Sequence, residues 1–295
     1  MSIYNKNGTA ISTAYNKSGE TITGAYNVDG ELIFGIIDYS SYTYTSYCSV
    51  SLANMQGFDI HNGIIFQFRA GSSISNTMCT INVSNSSITQ NGITASSDHG
   101  DSASFSESYV SGDTYPLIYV TSDTNPAKVY INRVTQTSAT LYQTLVFPLD
   151  KTGYYAAAAI DFDSDILYMV GYSEQNYLSD DGGNNKTVIS KWDLSNLTDN
   201  GGSTYTPLFV SSLERAFIYC TQGQQYYDGM IWTASGYTGS TNSYIYALNP
   251  STGETLYTVD LQTTTEVEGL SFISARDMVV GLQGGTYRKY TFAMS

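Results

Sequence analysis

Five times along the chain a short segment pairs a small residue with an apolar strand core. The copies read Gln56-Gly57-Phe58-Asp59-Ile60, Asp101-Ser102-Ala103-Ser104-Phe105, Ala158-Ala159-Ile160-Asp161-Phe162, Gln222-Gly223-Gln224-Gln225-Tyr226 and Glu268-Gly269-Leu270-Ser271-Phe272. The second position is always Gly, Ser or Ala, and the fifth is always Ile, Phe or Tyr. The copies start 45 to 64 residues apart, the range for four-stranded propeller blades with loops of variable length. A second and a third apolar run follow each copy, all rich in Val, Ile, Tyr and Phe and bounded by turn residues, which reads as strands. No stretch of similar length holds a helical apolar period.

Fourth runs follow in four copies: Ile88 to Thr94, Thr140 to Phe147, Thr206 to Val210 and Thr255 to Asp260. The fifth repeat reaches Ser295 one strand short, and an unpaired run, Tyr42 to Val50, precedes the first. The expected fold class is therefore all-β, a five-bladed propeller over residues 36–295 closed by this N-terminal strand, so that no long open edge remains. Residues 1–35 form a separate small β-repeat arm. Tyr4-Asn5, Tyr15-Asn16 and Tyr26-Asn27 recur every 11 residues, with Gly8, Gly19 and Gly30 in the same frame. Units this small bury no core alone, and copies from several chains can stack, so the arm is expected to attach or oligomerise the protein. A meander packed on its own propeller, or a flexible tail, is the alternative.

Composition narrows the function. The chain has 295 residues, 27 of them Tyr, and only 13% are charged, with a net charge of −14. No basic stripe is available for nucleic acid, and anionic membrane surfaces are disfavoured. No membrane insertion is expected, because no run of 18 apolar residues occurs, and the N-terminus carries no signal peptide pattern. Cys48, Cys79 and Cys220 are odd in number and sit in or beside strand runs, which predicts buried thiols.

The innermost strands of a propeller line its channel, so the first motif residues, Gln56, Asp101, Ala158, Gln222 and Glu268, are expected to ring one mouth, with His99 within reach. Asp101 and Glu268 are the only carboxylates in that ring, and glycosidases place such pairs across a scissile bond. Hydrogen bonding to backbone or trapped water is the more economical expectation, and no catalytic residue is assigned. His61 is expected in an exposed turn. No His-x-x-x-His pair exists for zinc, and Asp161 to Asp165 lacks the Gly and Glu of a calcium loop. The Ser179 to Asn185 loop is oxygen-rich but reads as solvated. Neither a cofactor nor a metal is expected.

Aromatic residues carry the binding expectation, since sugars stack their C–H faces on Tyr and Trp and bond to neutral polar groups. The ligand-binding candidates are Tyr172, Tyr177, Trp192, Tyr227, Tyr237 and Asn242, mostly on long connections of the third and fourth repeats. Tyr226 and Trp232 are expected in the core.

The phrases Gln56-Gly57-Phe58-Asp59-Ile60, His99-Gly100-Asp101 and Tyr115-Pro116-Leu117-Ile118-Tyr119-Val120 resemble the five-bladed propellers of receptor-binding and tail-fibre proteins of phages infecting Gram-positive hosts. They are also similar to helveticin-like bacteriocin propellers. The Tyr-Asn-x-x-Gly repeats resemble leader repeats of gut-phage tail proteins. The likeness spans residues 50 to 295 and rests on loose motifs. It implies a non-enzymatic module in a virion, extracellular after assembly, that binds a bacterial surface glycan and contacts other tail proteins through residues 1–35. A homo-oligomer, a trimer first, follows from that role. The alternatives are a propeller glycosidase and a structural platform of the particle.

Overall fold

The computed structural model describes residues 37–70, 76–197, 203–237 and 242–294, together with the backbone of short strands at 3–4, 10–11, 24–26 and 32–35. Five antiparallel sheets are arranged as the blades of a propeller. Blade 1 runs Met55–His61, Ile64–Arg69, Thr77–Asn82 and Ser87–Thr94 from the inside outward. Blade 2 contains Ser102–Phe105, Ile118–Ser122, Ala127–Val134 and Ala139–Phe147. Blade 3 contains Tyr154–Asp161, Ile166–Tyr172, Thr187–Asp193 and Leu208–Arg215. Blade 4 contains Thr221–Tyr227, Met230–Ser235, Tyr244–Leu248 and Thr255–Asp260. Blade 5 takes Val267–Phe272, Asp277–Leu282 and Gly284–Met294 from the end of the chain and its outermost strand, Ile37–Leu52, from the beginning.

That last pairing closes the ring. It is antiparallel, with Phe292 opposite Tyr42, Tyr290 opposite Tyr44 and Thr286 opposite Ser49. The closing strand is longer than the Tyr42 to Val50 run, and its added start supplies Tyr39. This ring packs edge-on against Trp232 of blade 4 and Phe292 of blade 5, with centroids 5.0 and 4.9 Å away. Tyr42 ties the same two blades by donating its hydroxyl to Asp260 O and accepting from Asp260 N.

One strand differs from expectation. The outer strand of blade 3 is Leu208–Arg215, whereas Thr204–Tyr205 crosses to pair in parallel with Ala139–Phe147 of blade 2. The connection therefore covers part of an open outer edge.

Buried apolar side chains fall into five clusters, one between each pair of adjacent blades. The small second motif position follows from how the inner strands meet. A β-carbon on Gly57 would lie 2.5 Å from Ser102 Cα, and one on Gly223 would lie 2.4 Å from Gly269 Cα. Neighbouring inner strands touch backbone to backbone there, and only small residues permit it.

Within residues 1–35, Ile3–Tyr4 pairs with Ala10–Ile11 and Gly24–Tyr26 pairs with Leu32–Gly35. The turns expected around Gly8, Gly19 and Gly30 all lie outside the described residues. The three cysteines are free and buried. Among the described residues, no helix is long and apolar enough to cross a membrane.

Candidate functional site

Each inner strand runs from one mouth of the channel to the other. Because the second strand returns antiparallel, the start of strand one and the end of strand two meet at the same mouth. A cavity of about 360 Å³ lies there. It gathers Gln56, Asp101, Gln222 and Glu268, the first motif residues of four blades, and His99 beside them. Tyr172, Tyr177 and Tyr237 line the same cavity, so most of the expected channel ring and three of the six expected ligand-binding residues are one site.

Ala158 is absent from the lining, and Tyr155 stands in for blade 3. Ala158 pairs with Met169 in the middle of its strand, and Tyr155 occupies the register shift between Tyr154 and Ala157, as Gln56, Gln222 and Glu268 lie at the corresponding shifts of blades 1, 4 and 5. Tyr155 has φ 51° and Cys220 has φ 39°, left-handed values that side chains with a β-carbon rarely adopt. Backbone strain of this kind gathers at functional sites. Asp123 and Gln283, each just past a second strand, complete the wall with Glu266, two residues before Glu268. The signal for Cys220, Glu266 and His99 was present in sequence: all three stand two residues before a first motif position.

The electrostatics are one-sided. Asp101, Asp123, Glu266 and Glu268 share the cavity with His99, and among the described residues no Lys or Arg lines it. His99 Nδ1 lies 2.6 Å from Asp101 Oδ1 and 3.7 Å from Asp123 Oδ2. The Asp101 carboxylate is the main reason that the His99 pKa rises to about 9. Burial, followed by the charge of Asp101, raises Asp123 to about 7. Glu268 is 1% exposed and is held well above the usual carboxylate range by burial and by Glu266. One of its oxygens accepts from Gln283 Nε2, while Oε2 has no partner, and Asp101 Oδ2 has none either. Gln222 Nε2 donates to Glu266 Oε1 at 2.8 Å. Burial pushes the Cys220 thiol up to about 12, the opposite of the shift that activates a cysteine nucleophile.

The tyrosines divide. Tyr237 is exposed and Tyr177 is half-buried, its ring edge-on to Tyr155 at 5.0 Å. Tyr172 corrects the expectation: it is 1% exposed, and its hydroxyl donates to Thr221 Oγ1 and accepts from Thr221 N, tying blade 3 to blade 4. Trp192 is a second correction. It is buried edge-on to Phe147 and Phe209, its Nε1 donating to Ser190 Oγ, and it has no face for a sugar. Trp232 is core, as expected. Asn242 is exposed, 3.5 Å from the Asp260 carboxylate, and lines neither mouth.

Tyr227 belongs to the opposite mouth, where a cavity of about 440 Å³ collects the fifth motif residues, Ile60, Phe105, Phe162, Tyr226 and Phe272. Tyr226 is thus half-buried rather than core, stacked on Tyr168 at 5.6 Å. His61 also sits there, half-buried against Phe105 and Tyr115 rather than in an exposed turn. Of the two cation candidates, Asp161 to Asp165 forms the hairpin between the first strands of blade 3, with Asp161 accepting from Ser164 N. The Ser179 to Asn185 loop is bound up in its own hydrogen bonds, Asn185 Nδ2 reaching Asn176 O and Ser179 O.

No protein-family model matches the chain, and no curated protein matches it either. Among solved structures it is similar to a structural-genomics protein of unknown function from Bacteroides thetaiotaomicron. The two share 11% identity over 99% of this chain and 90% of that one, with a TM-score of 0.50. At that identity the likeness concerns the fold alone, that of a five-bladed β-propeller.

Proposed function

We propose that the protein is a non-enzymatic recognition module, of the kind phages carry on their tails, and that its acidic channel mouth binds a neutral glycan of a bacterial surface. The observation that carries this reading is the meeting, in one open cavity, of the Tyr177 and Tyr237 rings with the carboxyl groups of Asp101, Asp123 and Glu266. Sugars present C–H faces to such rings and hydroxyl donors to carboxyl oxygens. The amides of Gln56 and Gln283 add donors and acceptors at the rim. Weak binding per site becomes tight when several copies act together, and residues 1–35 are the proposed means of assembling them, a trimer first. The virion setting rests on the resemblance of the sequence motifs and on the 11-residue repeat.

The test is a glycan array probed with the intact chain, alongside its native mass and that of a chain lacking residues 1–35. A neutral bacterial glycan bound by the wild type and lost with Tyr177→Ala or Tyr237→Ala supports the reading. A monomeric intact chain removes the multivalent part of it. A second reading, hydrolysis, is favoured by one observation: a buried carboxyl with a raised pKa, Glu268, shares the cavity with Asp101, as a general acid would. Cleavage of a bound glycan that disappears with Glu268→Gln would replace the binding module by an enzyme.

A further inference from the structure

The geometry points to a divalent transition-metal site in the acidic mouth, with His99, Asp101 and Asp123 as ligands and the buried Glu268 carboxyl as an acceptor for metal-bound water. One ligand atom from each of the three lies within 4.8 Å of the others. Ligands on a single ion with bonds of about 2.0 to 2.2 Å stand roughly 3 to 4.4 Å apart. Small side-chain movements therefore bring the three onto one centre. His99, which is exposed, and Asp123, half-buried on the turn after its strand, are free to make them.

The backbone already aims the pair His99 and Asp101 into the cavity. Gly100 between them holds φ +79°, its carbonyl accepts from Gly57 N at 2.7 Å, and Asp101 N donates to Thr121 O at 2.9 Å. The turn is thus pinned to blade 1 on one side and to its own blade on the other, the preorganisation that a ligand set requires.

Two further observations call for a cation there. Asp101, 8% exposed, and Glu268, 1% exposed, each keep a buried oxygen without a hydrogen-bond partner. A buried carboxyl oxygen left so is costly to the fold unless something binds it. Four carboxyl groups also line this cavity with one imidazole and, among the described residues, no Lys or Arg. The proton between His99 and Asp101 offsets only part of that charge. A dication takes its place, the proton leaves to solvent, and the neutral Nδ1 becomes a ligand.

The mixture of one imidazole nitrogen with carboxylate oxygens selects Zn²⁺ or Mn²⁺ over Ca²⁺ and Mg²⁺, which take oxygen. Three protein ligands leave positions open for water or a ligand hydroxyl. The inference does not rest on glycan recognition, because metal binding is read with no glycan present.

The experiment is calorimetric titration of the intact, chelator-treated and desalted chain with ZnCl₂ and MnCl₂, with CaCl₂ and MgCl₂ for comparison. One Zn²⁺ or Mn²⁺ per chain at micromolar affinity or better is expected. His99→Ala and Asp123→Asn should each weaken it at least tenfold, in metal-free protein that still unfolds in one cooperative transition. Asp163→Asn, in the blade 3 hairpin, should leave it unchanged. The site is overturned by absence of saturable binding, by affinity that survives both His99→Ala and Asp123→Asn, or by Ca²⁺ binding more tightly than either transition metal.

Discussion

The two mouths of the channel are built from the same five strands, yet they treat their buried carboxyl groups differently. At the aromatic mouth Asp59 accepts from Phe105 N of blade 2, from Ser271 Oγ of blade 5 and from Ile60 N. Gln225 accepts from Phe272 N and reaches Ala103 O with its amide. The rings there stack on one another, Tyr227 lying flat on Phe272 at 4.1 Å and 7°. At the acidic mouth Asp101 and Glu268 keep unpartnered oxygens, and Tyr237 remains exposed. The aromatic mouth binds the polar atoms of Asp59 and Gln225 between blades; the acidic mouth also ties blades, through Tyr172–Thr221 and Gln222–Glu266, but leaves two carboxyl oxygens without a partner. A buried polar group without a partner is rare enough to need a reason. The contrast separates stability from binding.

The change expected to break both ends is Gly57→Val. Its β-carbon meets Ser102 backbone rather than a movable side chain, so the inner strands must part and the ring must open. A loss of about 3 kcal/mol is expected, read as a large fall in the melting temperature with loss of ligand at the acidic mouth. Retained stability would show that the inner strands have slack.

Asp59→Ala and Glu268→Gln test the contrast directly. The first strips three donors of their acceptor inside the protein, so a cost of about 2 to 3 kcal/mol is expected in urea unfolding. The second keeps the acceptor for Gln283 and removes an acid that burial penalises. It should change stability by less than about 1 kcal/mol. Equal costs would erase the distinction between the mouths.

The same pair of regions shows what the sequence made legible. Ring closure, the count of blades and the first and fifth motif positions were readable because a propeller repeats one register five times, and spacing carries it. Tyr155 was not, because the motif frame put Ala158 at the mouth, whereas Ala158 pairs with Met169 in the middle of its strand. Trp192 and Tyr172 were misplaced since a period-two strand states that alternate residues share a face, not which face meets the neighbouring blade. Asp123 and Gln283 were missed because they follow second strands, and only ring geometry brings those ends beside the starts of first strands.

Tyrosine substitutions sharpen the comparison at a smaller scale. Tyr177→Ala and Tyr237→Ala should each weaken glycan binding by about 1 to 2 kcal/mol with little change in melting temperature. Tyr227→Ala should do the reverse, costing about 2 kcal/mol of stability through the lost stack on Phe272 and leaving binding intact. Weaker glycan binding with Tyr227→Ala would move recognition to the aromatic mouth.

The smallest expected effect is on pH, and its sign differs between the mouths. In metal-free protein, His99 holds its proton to about pH 9, whereas the unfolded chain releases it near 6.5. The native state therefore carries more protons through that window. Stability from the His99–Asp101 contact is complete below about 6.5 and is lost as pH rises toward 9. Asp123, raised to about 7, acts in the same direction at lower pH, since burying it ionised is what the fold resists. At the aromatic mouth burial lowers the His61 pKa, so that residue weakens the fold only as pH drops below its ordinary value. Urea midpoints measured in chelator at pH 7 and pH 9 should fall for the wild type. The drop should shrink with His99→Asn, and His61→Asn should leave it as it was, because His61 is already neutral across that range. A slope unchanged by His99→Asn would place the titrating group outside the acidic mouth. A slope flattened by His61→Asn would mean that the two ends of the channel are coupled through the strands they share.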